Sequence, residues 1–527
     1  MQSNHPNIIK KDKLKMKTDK GTVIVVGGGT MGLFLAHELM LHGKRVILFE
    51  SGNEQVQSFG QDEFVNLGHD HTGLSIGRAK GIGGTTNLWG GQLTQFLPID
   101  IESKNNFDQP NWVIPWAELR KYYIKTYEKL GFKGDISDYS EKLETIPSGK
   151  SLEFFYTHWL KQPNFKNHFH EALKKSDLVT IYENTTVTNL TFSGTRCTAI
   201  DFNNNGKSEK ISDFDSVVLA NGTFEICRLL LEVATSPNCP FASNQWIGKY
   251  YQDHLNLRIG EVNNASKEFF RKFSNIVRDG NKLQPKLRLN SSEPDNKYLG
   301  VSGYFSFSSD VTQHLDNFKQ FAKAVIGRSQ DSSSLKDKAL LFVKVMRALP
   351  QIMPLVFRYL KDNQIYVPFN SKVVLCIQAQ QISTKNSEIK ISPKEVDKNG
   401  RPKVVLNWTL DGRELDSIRD FSYKLQHYLK SKQLGDLEFE DWFKEGPKNN
   451  SEDWLKHVTD IYHQAGGVIM SSSKDDGVVD DKLKIHETDN IFVCGPCVLP
   501  TSSYANTGLT ALALTCRLAE HLKTLPT

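Results

Sequence analysis

Near the end of the chain stand His463, in Tyr462-His463-Gln464-Ala465-Gly466-Gly467, and Asn506, in Ser503-Tyr504-Ala505-Asn506-Thr507-Gly508. Each is followed by small residues, and between them runs the apolar segment Ile491-Phe492-Val493-Cys494, stopped by Gly495. A neutral imidazole accepts a hydroxyl proton near neutral pH, and a carboxamide donates to an oxygen without carrying charge. Together they suit alcohol oxidation. The imidazole takes the proton, the amide fixes the oxygen, and the carbinol hydride leaves for a redox cofactor. The rest of the chain must supply that cofactor and hold it against the pair.

The other end of the sequence supplies it. The β-branched run Thr22-Val23-Ile24-Val25-Val26 enters Gly27-Gly28-Gly29-Thr30-Met31-Gly32. An amphipathic helical stretch over 33–42 follows, then a second strand, Arg45-Val46-Ile47-Leu48-Phe49, ending in Glu50. Strand, G-x-G-x-x-G, helix, strand and an acid about twenty residues past the glycines make up the dinucleotide-binding pattern. Gly27 permits the tight turn, Gly29 lets backbone approach a pyrophosphate, and Gly32 allows close helix packing. The helix N-terminus then faces the phosphates, and Glu50 is placed to accept from ribose hydroxyls. This pattern alone leaves NAD and FAD both open.

Gly77-Arg78-Ala79-Lys80-Gly81-Ile82-Gly83-Gly84-Thr85-Thr86-Asn87-Leu88-Trp89-Gly90-Gly91 decides between them. Glycines in this number let backbone lie against a large planar ligand while its amides hydrogen-bond to it. A flexible linker would not carry Leu88 and Trp89 among its glycines. The expected cofactor is FAD.

These segments resemble the glucose–methanol–choline (GMC) family of FAD-dependent alcohol oxidoreductases along nearly the whole chain. Gly83, Gly84, Thr85, Thr86 and Trp89 lie in a stretch similar to the family's flavin-covering loop. The run from Val217 through Gly222 and Thr223 to Leu231 resembles its central strand–turn–helix. Ile247-Gly248-Lys249-Tyr250-Tyr251-Gln252-Asp253-His254 resembles its Gly-x-x-x-x-Asp-His turn, and the stretches 387–392 and 397–402 its substrate-domain hairpin. Trp89 and the ending Ala505-Asn506-Thr507-Gly508 are most similar to the pyranose-oxidase branch, whose catalytic His and Asn match His463 and Asn506. Thr507 stands where that branch has proline. The resemblance further implies cofactor contacts at Val187 (beside the adenine), Gly222, Gly495, Asn506 and Gly508. Leu88 occupies the position where covalently flavinylated members carry histidine, so the FAD is expected to be non-covalent. His254 is expected to be structural, and no metal is expected at the site.

Composition narrows the partners. The chain has 527 residues, enough for two large domains or one elaborated one, and its formal net charge of +5 is spread along the sequence, which recommends no nucleic acid. Residues 1–20 are polar and lysine-rich and read as a disordered tail rather than a secretory signal. Seven cysteines without such a signal fit a reducing compartment, and the expected location is cytoplasmic. Cys494-Gly495-Pro496-Cys497 has the spacing of a redox dithiol, but its place near the C-terminus, where the family has a flavin-touching glycine turn, argues for an ordinary turn.

The expected fold is α/β: a Rossmann-like FAD domain, discontinuous over 21–100, 178–256 and 456–527, with an α+β substrate domain of sheet, helices and lid elements over 101–177 and 257–455. Strands are expected near 373–378 and 403–407, with a helix over 414–432 crossing the sheet. Residues 338–361 are apolar with regular basic residues and two prolines. They read as helices packed on the substrate domain, or as a lid or peripheral membrane anchor.

The expected reaction is oxidation of a sugar or glycoside hydroxyl to a keto-sugar, with His463 as general base. Gln92, Thr94 and Gln95 offer further hydrogen bonds near the site, and a site built on such groups penalises apolar alcohols. An aminoglycoside or other polyol is the runner-up. A flavin-dependent lyase and a vestigial, flavin-stabilised interaction protein are the rivals of other classes. The electron acceptor (oxygen, a quinone or a carrier) is left open by every motif.

Overall fold

The computed structural model describes residues 21–102, 107–132, 152–289, 299–308, 343, 365, 367–445 and 452–525. The N-terminal tail and, but for one residue, the 338–361 segment lie outside them.

The β-branched run near the N-terminus forms Thr22–Val26, every residue of it buried. It sits at the centre of a five-stranded sheet with the order Ile491–Val493, Ser216–Leu219, Thr22–Val26, Arg45–Phe49 and Val179–Tyr182, every pairing parallel. A parallel sheet covered on both faces needs largely apolar, buried strands, which all but the half-buried edge strand Val179–Tyr182 are. The chain runs outward from the central strand on one side and later returns to its other side. Strand order therefore reverses between Thr22–Val26 and Ser216–Leu219, and at the carboxyl ends of those strands an open α/β sheet forms its ligand crevice.

The helix after the glycines, Thr30–Leu41, is buried nearly all round, at Met31, Leu33, Phe34, Leu35, Ala36 and Leu39. It was expected to be amphipathic. The C-terminal helix Thr507–Thr524 packs along it and covers the side that would have met water. That pairing brings the two ends of the sequence together.

A second sheet has eight strands. Its main path runs Asp436–Phe439, Leu255–Asn263, Lys372–Ala379, Val301–Ser308, Asn281–Leu289, Leu152–Trp159 and Gln92–Leu93, with Ile276–Arg278 beside Asn281–Leu289. The expected strand near 373–378 and the expected helix, Glu414–Ser431, are both here, the helix buried through Leu415, Ile418, Phe421 and Leu425 against the sheet. The strand near 403–407 belongs elsewhere. Glu388–Val396 and Pro402–Asn407 form a hairpin whose second strand pairs in parallel with Phe64–Asn66. No helix among the described residues is long and apolar enough to cross a membrane.

Candidate active site

A cavity of about 580 Å³ opens at the crevice where the parallel sheet reverses its order. That volume lies within the few hundred to about 1,000 Å³ typical of cofactor and small-molecule sites. Of the residues singled out from sequence, Gly27, Gly29, Glu50, Gly84, Thr85, Trp89, Val187, Gly222, His463, Gly495, Asn506 and Gly508 line it. One continuous space thus joins the glycine turn near the N-terminus to the His/Asn pair near the C-terminus.

The glycines make this space. A Cβ added to Gly222 would meet no protein atom within 4 Å, one on Gly29 only the Gly84 Cα at 3.9 Å, and one on Gly495 only the Cys497 sulfur at 3.6 Å. Such atoms would project into the cavity. Gly32 acts differently: its Cβ would lie 1.8 Å from the Gly27 carbonyl oxygen, so it sets the packing of helix on turn and lines nothing. Gly83, held at φ +95°, and Thr86 also stand off the cavity. The Thr86 hydroxyl donates to the Gly83 carbonyl at 2.6 Å and accepts from the Phe165 amide at 3.1 Å, which braces the loop from behind.

Glu50 borders the cavity, but its carboxylate is engaged by backbone: it accepts from Gly28 N at 2.7 Å, Gly52 N at 2.8 Å and Gly81 N at 2.9 Å. It ties the glycine turn to the covering loop as well as presenting an edge to a ligand. Gln92 lines the cavity and donates to Thr157 and Gln284; Thr94 and Gln95 do not line it.

Three helix N-termini converge here, at Thr30, Thr223 and Thr507, each contributing lining residues and none capped by a side chain. Their free amides and partial positive charge favour an anionic ligand such as a pyrophosphate. Thr507 is the first helical residue after Asn506, a position that suits proline because its N–H has no helical partner. The departure from the pyranose-oxidase pattern therefore leaves the helix start intact. Asn221 Oδ1 and Asn506 Oδ1 are buried without a hydrogen-bond partner, in residues that line the cavity. Glycines aimed into the space, orphaned acceptors and convergent helix starts are the features a large, flat dinucleotide cofactor requires, and the residues present fit FAD.

At the chemical end, Asn506 Nδ2 lies 3.0 Å from His463 Nε2. His463 follows Tyr462, which takes φ +65°, and its backbone N–H donates to Asp253 Oδ1 at 2.9 Å, so the ring is aimed from a fixed turn. The same Asp253 oxygen accepts the His254 N–H at 2.7 Å. Behind His463, its Nδ1 meets His254 Nδ1 at 2.8 Å, and His254 Nε2 meets the Ser502 carbonyl at 3.1 Å. Burial holds His463 well below the ordinary histidine range, helped by the nearby His254 and Lys286; burial also lowers His254. Both rings are neutral at physiological pH.

His254 was expected to be structural, with no part in catalysis. It touches the His463 ring. Its sequence signal was present, in the Asp-His turn at 253–254, but the partner of that turn is 209 residues away along the chain. Gln378 and Lys286, which stand behind His254, carried no signal: they are polar residues on interior strands, and only the eight-stranded sheet brings them here. The Cys494–Cys497 pair is buried and not joined as a disulfide, with Cys494 against the Thr515 hydroxyl, and burial pushes both thiols up.

Residues 383–515 match a family model described as GMC oxidoreductase. Among characterised proteins the chain is 20% identical, over an alignment of 588 positions, to the fructose dehydrogenase large subunit of Gluconobacter japonicus, covering 96% of this chain and 98% of that one. Among solved structures it is similar to pyridoxine 4-oxidase from Mesorbium loti, with a TM-score of 0.55 and 14% identity over 96% of this chain and 99% of that one. It is also similar to a fungal aryl-alcohol oxidase, with a TM-score of 0.57 and 14% identity over the same shares. An FAD-dependent oxidoreductase from Chaetomium thermophilum gives a TM-score of 0.55 at 13% identity, over 94% and 98%.

Proposed function

We propose that the chain is an FAD-dependent alcohol oxidoreductase of the GMC type, a reading supported by the family-model match over residues 383–515 and the fructose dehydrogenase relative, and that it oxidises a ring secondary hydroxyl of a sugar or glycoside to a ketone, with FAD held non-covalently. The observation that carries this reading is the His463–Asn506 pair, 3.0 Å apart in the wall of the cavity whose other walls carry the dinucleotide-binding turn.

FAD, when bound, supplies the hydride acceptor. The chain's residues do the rest. Asn506 Nδ2 turns from His463 Nε2 to donate to the substrate oxygen, and His463 Nε2 takes the hydroxyl proton as the carbinol hydride leaves, so that a ketone remains. A neutral His463 is what this step needs, and burial keeps it neutral. Gly27, Gly29, Thr30 and Glu50 would hold the dinucleotide, and Gly84, Thr85, Trp89 and Gly495 its ring system. Leu88, exposed beside Trp89, has no group able to bond covalently to a flavin.

Support for a hydroxyl-bearing substrate comes from the unpartnered Asn506 Oδ1 in the cavity wall, which an apolar alcohol would leave unsatisfied. A relative named for fructose oxidation agrees with that chemistry. Polyols and aminoglycosides fit the same groups. Mixing the oxidised protein anaerobically with sugars, glycosides, aminocyclitols, aryl alcohols and alkanols tests the reading by bleaching of the flavin absorbance. Bleaching by a sugar or glycoside, with a product two hydrogens lighter and no aldehyde reactivity, is expected. Efficient bleaching by alkanols or sterols alone refutes the substrate. Turnover without bleaching points to a lyase, and no response to any alcohol to a vestigial site. Acid precipitation should release the flavin into the supernatant.

A further inference from the structure

We propose that His254 is a positioning residue for His463: anchored by the Ser502 carbonyl, it holds the His463 proton on Nδ1 and so leaves Nε2 bare to act as base. This rests on His463 being the proton acceptor of the reaction proposed above.

A backbone carbonyl can only accept. The Ser502 oxygen, 3.1 Å from His254 Nε2, therefore requires hydrogen on that nitrogen. His254 is fully buried and neutral, so its Nδ1 keeps a lone pair. Two ring nitrogens 2.8 Å apart need one donor and one acceptor, and His254 Nδ1 can only accept. His463 Nδ1 must then be the N–H. Because His463 is also neutral, its Nε2 has no hydrogen, and it is this nitrogen that meets the Asn506 amide donor at 3.0 Å.

A second anchor gives the same answer independently. Gln378 Nε2 lies 2.7 Å from the Tyr504 carbonyl, and Gln378 Oε1 lies 3.2 Å from the Lys286 ammonium. A carbonyl that only accepts and an ammonium that only donates fix which end of the amide is which. The amide nitrogen so placed is 3.4 Å from His254 Nδ1 and presents an N–H to it, again making that nitrogen an acceptor. Ser502 and Tyr504 both belong to the short segment that leads into Asn506. The strap carrying the amide donor thus also sets the tautomer of the base.

The test is histidine tautomer state by nitrogen NMR on the full flavin-bound chain labelled with 15N-histidine, without substrate, the His463 signals being assigned by their loss in His463→Gln. The expected result is Nδ1 of His463 as an N–H and Nε2 as a bare nitrogen. A proton on Nε2 overturns the proposal. Gln378→Glu, of equal size, places a carboxylate where the amide donor was. It should draw hydrogen to His254 Nδ1, move the His463 proton to Nε2 and slow flavin reduction by about a hundredfold, the scale of a lost general base. Parental spectra and rate in that variant would also overturn it. His254→Asn can offer a carbonyl oxygen to His463 Nδ1 and should retain more of the rate than His254→Ala; equal losses count against positioning. Failure of every sugar to bleach the parent strikes the proposed substrate instead, since the tautomer is read with no substrate present.

Discussion

Lys286 is a buried ammonium whose removal should make the protein more stable and less active. It is 3% exposed on an interior strand, donates to Gln378 Oε1 at 3.2 Å, and stands 4.7 Å from the centre of the Tyr304 ring. These contacts only partly replace water: burial lowers its pKa from 10.5 to about 8. Each unit is worth about 1.4 kcal/mol, so holding the charged form inside costs about 3 kcal/mol. Below pH 8 the folded and unfolded states both bear the proton and the cost is complete. Between 8 and 10.5 the unfolded chain binds more protons than the folded one, so stability rises with pH and the cost fades. Lys286→Met keeps the stem and removes the charge. Leaving Gln378 Oε1 without its donor takes back about 1 kcal/mol, for a net gain of about 2 kcal/mol at pH 7. The assay is urea unfolding of flavin-saturated parent and variant at pH 7, 8, 9 and 10. The advantage of the variant should shrink with rising pH and vanish or reverse by pH 10. Its flavin should also be reduced several-fold more slowly, because Gln378 has lost one of the two anchors that orient it toward His254. A stability difference that does not change with pH, or a variant less stable at pH 7, refutes the reasoning.

His463→Ala should retain flavin at parental stoichiometry and slow flavin reduction by about a hundredfold or more, read by anaerobic stopped flow; an unchanged rate would move the proton acceptor elsewhere. Gly32→Ala puts a methyl 1.8 Å from the Gly27 carbonyl oxygen, so the helix must lift from the turn. Overpacking against backbone of this kind costs about 3 kcal/mol, and the purified variant should lack flavin; a yellow variant with parental melting temperature contradicts that role. Acidification should destabilise the protein as pH falls below about 6.5. Burial depresses His254 and His463 and takes His158 to about 3, so the unfolded chain binds protons that these buried rings refuse. Asp100, raised by burial to about 6, and Glu414, also raised by burial, work the other way, but burial lowers His42, His168, His170 and His521 as well, and these add to the three rings. A urea midpoint independent of pH between 7.5 and 5.5 would show that these rings do not carry the acid response.

Part of this molecule is local in sequence, and that part was legible. Glycine turns, the β-branched runs around them and the acid at 50 follow from backbone sterics and short-range periodicity, because the residues that must cooperate lie within a few dozen positions. The His463–Asn506 pair was legible for a related reason: each stands in its own short motif, and the geometry only had to bring two motifs together. Helix 30–41 shows where this stops. Its burial nearly all round depends in part on helix 507–524, from the far end of the chain, and no pattern inside the twelve residues records what will cover them. The hairpin at 388–407 is similar: its resemblance to the family's hairpin predicts strands, whereas its partner, Phe64–Asn66, is chosen by the tertiary fold.

The sequence by itself therefore determined the kind of chemistry, the cofactor class and the His463–Asn506 pair on which the proposed reaction rests. Tertiary structure alone decided the state of those groups. Whether His463 is a base depends on which of its nitrogens carries the proton, and that depends on carbonyls at Ser502 and Tyr504, an amide at Gln378 and an ammonium at Lys286. Every one of these acts through hydrogen-bond polarity at a distance of about 3 Å, in positions that are neighbours only after three strands and a strap have packed together. A backbone carbonyl is identical at every residue, so no sequence pattern can mark the two that set the tautomer.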